Sequence, residues 1–430
     1  MTALPSLPLI CEKECKALNS AIAKRTKQIS WLFLLMYFAS YIMRINFAVM
    51  MVRICSDMSA TKSDLAIVVT ALTVAYGIGQ VVSGFIGDKI KPQYLLTGGL
   101  ALAIVCNVVI FFASTIPVMT VVWAINGLAH AMLWPPIVRM ISTYVPSGEY
   151  SYASVRVSWG SSIATIILYL FCPLLLSFMS WRAIILACAG IGVAIMVVWL
   201  IASPKLFAEE NLLVRAEKKA TENGKTRGIS IPKIAIFPVI FIVIGIIFQG
   251  MMRDGVTNWM PSFLLETFGL PEDSSILATV ILAVFSIFSF WVFDVLYRKL
   301  ISNEVLCGGV IFGIALVSAV ALYLVNVFTS SVLVSMLLMA VIVGCMHGVN
   351  LMLIAIVPKS FAKYGKVSTM SGLLNSCTYI GAAAATSGFA ALAEATNSWT
   401  PTLFVWIIIC LVGTVACIVA APAWRKFQKH

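Results

Sequence analysis

Gln249-Gly250-Met251-Met252-Arg253-Asp254-Gly255-Val256-Thr257-Asn258-Trp259-Met260-Pro261-Ser262-Phe263-Leu264-Leu265-Glu266 follows an apolar run from Phe237 to Phe248. Together they read as a membrane helix whose second half turns polar. An arginine near a bilayer centre costs on the order of 3 kcal/mol or more unless it faces water, a counter-charge or a ligand. The first apolar segment carries another one, in Tyr41-Ile42-Met43-Arg44-Ile45-Asn46-Phe47. Arg44 lies about fifteen residues into that segment, near or past the midplane at 1.5 Å per residue. The plainer readings are an Arg44 that reaches the outer headgroups and an Arg253 held in an internal ion pair. The sharper one rests on their matching positions. A guanidinium is always charged and its planar fork fits phosphate or carboxylate oxygens. Arg44 and Arg253 are therefore expected to face each other across a central cavity and clamp an anion. Two forks suit a dianion such as a phosphate monoester better than a single carboxylate.

Composition sets the frame. The chain is 61% hydrophobic and 11% charged, with a mean hydropathy of +1.01, whereas soluble chains carry roughly 25% charged residues. Twelve apolar segments are long enough to span a hydrocarbon core, at about 29–52, 64–86, 93–113, 118–141, 152–177 and 181–202, then 233–262, 272–297, 303–327, 330–356, 366–393 and 400–422. The expected fold is all-α, twelve transmembrane helices in two six-helix halves. The halves are 29–202 and 233–422, with an N-terminal segment 1–28, a central loop 203–232 and a tail 423–430. The central loop carries Glu209, Glu210, Lys218, Lys219, Lys225 and Arg227.

The net charge of +12 does not indicate nucleic acid, because the basic residues sit in short connections without interleaved aromatics. With the N-terminus inside, Lys89, Lys91, Arg139, Arg298, Lys299, Lys359, Lys363 and Lys366 fall on the inner side, with the tail. Few bases fall outside. The positive-inside rule then places both termini in the cytoplasm. No cleavable signal is visible, and the layout fits a bacterial plasma membrane. Most of the eleven cysteines lie in apolar segments and read as small hydrophobes. Cys11 and Cys15 have no histidine nearby, so neither metal nor cofactor is expected.

The two halves echo one another, as duplicated transporters do. Asp88-Lys89 after the second span is matched by Asp294 with Arg298-Lys299 after the eighth, Ser180-Trp181 by Ser398-Trp399, and Arg44 by Arg253. Asp88, Lys89, Asp254 and Asp294 are expected to serve gating and the frame. Asp254 cannot face its neighbour on an ideal helix, where successive residues diverge by about 100°, so it is expected to pair with another helix or sit at the outer mouth. Tyr41, Tyr76, Gln80, Trp134, Ser161, Asn258 and Trp259 are further candidates for substrate contact, although most polar side chains in spans serve helix packing. His130 and His347 could relay protons. No phosphate loop ending in Lys-Ser/Thr, carboxylate pair or nucleophile with a base stands out, so the chain does not read as an enzyme or as ATP-driven.

These residues resemble the major facilitator superfamily, and within it the organophosphate:phosphate antiporters, which include bacterial glycerol-3-phosphate and hexose-phosphate transporters. Ser40 to Phe47 is similar to the first-span motif, whose arginine binds phosphate. Asn126-Gly127-Leu128-Ala129-His130-Ala131-Met132-Leu133-Trp134-Pro135-Pro136 resembles the fourth-span motif. Arg253 to Glu266 resembles the seventh-span motif, with the second phosphate arginine first. Gly84 to Lys89 is a partial version of the superfamily loop motif. The resemblance implies exchange of an organic phosphate for inorganic phosphate by a monomer in the bilayer. The chain departs from the glycerol-3-phosphate branch, with Gln80 where that branch has lysine and Ser161 where it has histidine; Ile45 stands where the family often has lysine. The accessory cations are therefore missing. Two other readings stay open: proton- or sodium-coupled symport of a carboxylate, because Tyr-x-x-Arg-x-Asn also resembles the anion:cation symporters, and a transporter-like membrane sensor.

Overall fold

The computed structural model describes residues 12–208 and 231–429. Cys11, His430 and the charged residues of the expected central loop from Glu209 to Arg227 lie outside them. The described chain is built from twelve long helical segments. In the first half these are α1 (Glu12–Val49), α2 (Lys62–Lys89), α3 (Pro92–Phe112), α4 (Ile116–Ala131, resuming at Trp134–Tyr144), α5 (Tyr150–Leu175) and α6 (Trp181–Leu206). The second half comprises α7 (Ile236–Phe268), α8 (Val280–Lys299), α9 (Glu304–Phe328), α10 (Val332–Asn350), α11 (Val367–Thr396) and α12 (Thr400–Lys429). Eleven of these segments are long and apolar enough to cross a membrane. The exception is α11. At 30 residues it has ample length, but Ser368, Ser371, Asn375 and Thr378 dilute its apolar content. These side chains are buried, so α11 hides its polarity against protein.

Several boundaries follow from local chemistry. Residues 12–28 hold no Pro or Gly and are good helix formers, and α1 is helical from Glu12, the first described residue, on into the apolar stretch. A Thr61–Asp64 capping box starts α2. Asn303 Oδ1 caps α9, accepting from the amides of Val305 and Leu306 at 3.0 and 2.9 Å.

The break in α4 comes from Pro135 and Pro136, which lack the amide hydrogens that would bond Ala131 and Met132. The Ala131 carbonyl so released receives the Gln80 amide at 3.5 Å. α10 ends differently. Its last turn widens into a π-helical stretch, Leu351–Ile356, and then a 3₁₀ stretch, Val357–Tyr364.

An even number of traverses brings both termini to one end of the bundle, the terminal end. There the halves are locked together. Asp88 at the end of α2 accepts from the amides of Ser368 and Thr369, each at 2.9 Å, and from the Thr369 hydroxyl at 2.5 Å. The carboxylate thus caps the N-terminus of α11 from the other half, where orphan amides and the helix dipole favour an anion. Behind this cap, α2 and α11 touch backbone to backbone. A Cβ on Gly372 would run into the Gln80 carbonyl oxygen, and one on Gly84 would come to 2.8 Å from the Ser368 oxygen. Further cross-half contacts at this end are Tyr150 Oη to the Ala355 carbonyl at 2.8 Å and Lys359 Nζ to the Ser147 carbonyl at 3.0 Å. Nearer mid-bundle, Ser162 meets Ser286 at 2.6 Å and Trp159 Nε1 donates to Ile287 at 3.2 Å.

Candidate functional site

Above this seal, α1, α4, α5, α7, α8, α10 and α11 surround a small central cavity lined by Tyr37, Tyr41, Trp134, Ser158, Ser161 and Arg253, with Phe290, His347, Asn350, Asn375 and Tyr379 opposite. Its volume is about 30 Å³. One water needs roughly 10–15 Å³ by this measure, so the cavity admits two or so waters and no phosphate ester. A substrate of that size enters only when the halves part.

Arg44 is pinned by its neighbours on α1. The Met43 carbonyl accepts from Asn107 at 3.1 Å and Asn126 at 3.2 Å, while Asn46 donates to Asn107 at 2.9 Å. This buried amide cluster ties α1 to α3 and α4. The guanidinium carbon of Arg44 lies 4.1 Å from the ring centroid of Tyr41 and 4.7 Å from that of Tyr76. A cation on desolvated ring faces is favoured by about 2 kcal/mol. Tyr37 packs on Tyr41 and on Trp134, and Tyr76 on Tyr379 of the other half at 4.8 Å. Among the described residues no carboxylate pairs with Arg44.

Arg253 has a different surrounding. Its Nε donates to Asp254 Oδ1 at 2.6 Å and its Nη2 to Asp254 Oδ2 at 3.0 Å. The expectation that Asp254 would pair elsewhere or sit at the mouth is corrected here. Backbone directions diverge between neighbours, but an arginine stem is long enough to fold back along the helix. Tyr41 and Tyr379 each lie within electrostatic range of both arginines. Arg253 lines the central cavity, whereas Arg44, packed on Tyr41 and Tyr76, is not among its lining residues, so the expected pair facing each other across that cavity is not what the lining contains.

The other candidates divide. Trp134 lines the cavity, and its buried indole N–H has no acceptor, so it is a donor available to a ligand. Ser161 lines it too, but its hydroxyl is spent on the Ser158 carbonyl at 2.7 Å. Tyr76 sits one layer back against Arg44. Gln80 is fully buried on the Ala131 carbonyl and does not line the cavity. Asn258 and Trp259 lie higher on α7, bonded to Thr386 at 3.3 and 3.0 Å. Trp259 lines a separate pocket of about 460 Å³ at the far end, with Glu266, Asn326 and Trp399.

At the terminal end Asp88 forms the cap described above, and Lys89 is exposed. Asp294, on the matching turn of α8, pairs with Arg298 at 2.9 Å and lies beside Ser151 at the start of α5. His130 bonds Ser40 at 3.0 Å and His347 packs edge-on to Phe290.

Sequence reasoning missed Arg139 as a structural residue. It donates to the carbonyls of Gly87 and Ile90, capping the C-terminal end of α2. Its only sequence signal was a base in a span just before an inner loop. The Asn46–Asn107 pair was also missed, although asparagine in an apolar helix signals a buried partner.

The Major Facilitator Superfamily model matches residues 33–386. The glycerol-3-phosphate transporter of Bacillus subtilis (strain 168) is 23% identical over 421 residues, covering 88% of each chain. A probable hexose phosphate transport protein of Chlamydia pneumoniae is 23% identical over 423 residues, covering 92% of this chain and 90% of its own. Among solved structures, the proton:xylose symporter XylE superposes with a TM-score of 0.71 at 13% identity, over 93% of this chain and 95% of that one.

Proposed function

The chain belongs to the Major Facilitator Superfamily of multi-pass membrane transporters, and we propose that it carries an organic phosphate ester across the membrane in exchange for inorganic phosphate. The observation that carries this reading is the pair of arginines, one from each half, both within electrostatic range of Tyr41 and Tyr379, beside a cavity wall in which the Trp134 indole N–H has no acceptor. The full-length likeness to glycerol-3-phosphate and hexose phosphate transporters supports a phosphorylated substrate over a carboxylate.

The mechanism is alternating access. With the Asp88 cap closed, the terminal end is shut and the site opens only toward the far end. An anion held by Arg44 and Arg253 draws the halves together around itself. Breaking the Asp88 cap then lets the terminal end part and release it. Each half of one chain supplies one arginine, so a monomer suffices. Lys89, Lys91, Lys299, Lys366, Arg425 and Lys426 cluster at the terminal end, which supports a cytoplasmic terminal end. The membrane is proposed to be a bacterial plasma membrane.

The test is counterflow in proteoliposomes loaded with unlabelled phosphate, following uptake of labelled phosphate and competition by sugar phosphates. Saturable exchange is expected. Arg44→Lys and Arg253→Lys should each reduce it tenfold or more, because a point charge replaces a bidentate fork worth about 1.5–3 kcal/mol. Folded protein that exchanges no phosphate, or lysine variants with unchanged exchange, would overturn the reading.

A further inference from the structure

The two arginines are not equivalent. Arg44 lies against Tyr41 and Tyr76, in reach of their rings and hydroxyls, and among the described residues no carboxylate engages it. Arg253 has Nε and Nη2 already engaged by the two oxygens of Asp254. This Nε–Nη2 edge is one of the two edges, each with parallel donors, by which a guanidinium grips a phosphate. We propose that Asp254 is a tethered competitor for the substrate: it holds the Arg253 fork when no substrate is bound, and the substrate displaces it. This rests on the organophosphate reading and bears on how strictly the transporter must exchange.

The argument is one of charge. When two halves close over an empty site, two bare guanidinium groups oppose closure, so a carrier with both bare can reorient only when loaded and exchanges strictly. Here the neighbouring carboxylate cancels one of the two charges. The remaining cation, Arg44, is stabilised against Tyr41 and Tyr76. Among the described residues, the largest electrostatic partners of Arg253 after Asp254 are Tyr379 and Tyr41, and His347 lies in range of both Arg253 and Asp254; none of these is an acid that could substitute for Asp254. An empty site compensated in this way closes and reorients without an anion. Net flux therefore accompanies exchange in this protein, and Asp254 is the residue that permits it.

Asp254 also raises the threshold for binding. The incoming group must outbid a carboxylate held at intramolecular concentration. A dianionic phosphate does so; a lone monocarboxylate, equal in charge to Asp254, has no such advantage.

The experiment loads proteoliposomes with labelled phosphate and measures efflux into phosphate-containing medium (exchange) and into anion-free medium (net flux). In wild type the net rate is expected to lie within about tenfold of the exchange rate. In Asp254→Asn the ratio of net flux to exchange should fall at least tenfold, and phosphate should bind at least tenfold more tightly. Asp254→Glu, which keeps the carboxylate, should restore most of the ratio. Brisk exchange without net flux in wild type overturns the proposal without any variant, and so does an equal ratio in wild type and Asp254→Asn. The same pair of media is run with glycerol 3-phosphate and with succinate. Flux of succinate alone overturns the organophosphate reading, and its ratio still judges Asp254. No flux of any of the three by folded protein overturns both.

Discussion

Replacing Asp88 with asparagine should open the terminal end. The carboxylate takes three hydrogen bonds, from the Ser368 and Thr369 amides at 2.9 Å each and the Thr369 hydroxyl at 2.5 Å. Asparagine has one acceptor oxygen, and its NH₂ would meet one of these amides donor to donor. At least one charge-assisted bond is lost, worth about 1.5–3 kcal/mol, together with about 0.3–1 kcal/mol of interaction between the charge and the α11 N-terminus. Asp88 is half-buried, so solvent screening favours the lower end, about 2–3 kcal/mol. At 1.4 kcal/mol per decade, that shifts the equilibrium toward the terminal-end-open state by roughly 30- to 150-fold. Ser371 reports it, being fully buried directly behind the cap. In a Ser371→Cys background, alkylation by an impermeant maleimide applied from the terminal side should accelerate by that factor until labelling saturates. Cys11 and Cys15 are replaced by serine in this background; Cys106, Cys172, Cys188, Cys307, Cys345, Cys377, Cys410 and Cys417 are buried and Cys55, near the far end, is half-buried. An Asp88→Asn rate within threefold of the parent would refute the view that this cap locks the two halves.

Two further perturbations probe the same frame. Gly372→Val places a side chain against the Gln80 carbonyl. It should abolish transport while leaving a folded protein, with Ser371→Cys labelling raised as by Asp88→Asn. Asn107→Leu removes the donor to Met43 and the acceptor for Asn46 and leaves buried polar groups unpaired. It should lower stability by about 1–3 kcal/mol, read as a fall in the detergent unfolding midpoint, and weaken phosphate binding through the loosened backbone next to Arg44.

What was legible in the sequence is what the bilayer makes expensive. Arginine inside an apolar run stands out because lipid tolerates it only for a reason, and both Arg44 and Arg253 lie within electrostatic range of Tyr41 and Tyr379. Span count was legible from apolar length, even for α11, whose polar residues weaken the signal because protein covers them. The partners of individual polar groups were not legible. Gln80 reads as a binding residue beside the Arg44 locus, yet it satisfies a carbonyl that Pro135 set free 51 positions along the chain. Arg139 reads as a topogenic charge, yet it caps α2 across a similar separation. Such pairings depend on which faces of distant helices meet, and periodicity in one segment holds no record of the other.

The Arg253–Asp254 pair was hidden for a different reason, since its members are adjacent. The helical wheel gives the direction of the Cβ atoms, 100° apart, but a guanidinium ends several bonds beyond its Cβ. Where both side chains are kept from open water, the long one folds back to the nearest carboxylate. That contact breaks the symmetry of the duplicated layout at its most important point. At the matching place in α1 the residue after arginine is Ile45, which offers no charge, and Arg44 turns to tyrosine rings instead. The same residue type thus receives two kinds of compensation: tyrosine rings and hydroxyls at Arg44, and at Arg253 a carboxylate that takes the Nε–Nη2 edge of the guanidinium. On the proposed reading, an arriving anion meets an arginine without a carboxylate partner on the first half and one already engaged by Asp254 on the second. Binding to Arg44 alone leaves the halves unlinked; only when the anion also takes the fork from Asp254 does one ligand bridge both. On the proposed reading, the step that joins the halves is the displacement of Asp254, and the charge needed to achieve it selects the ligand.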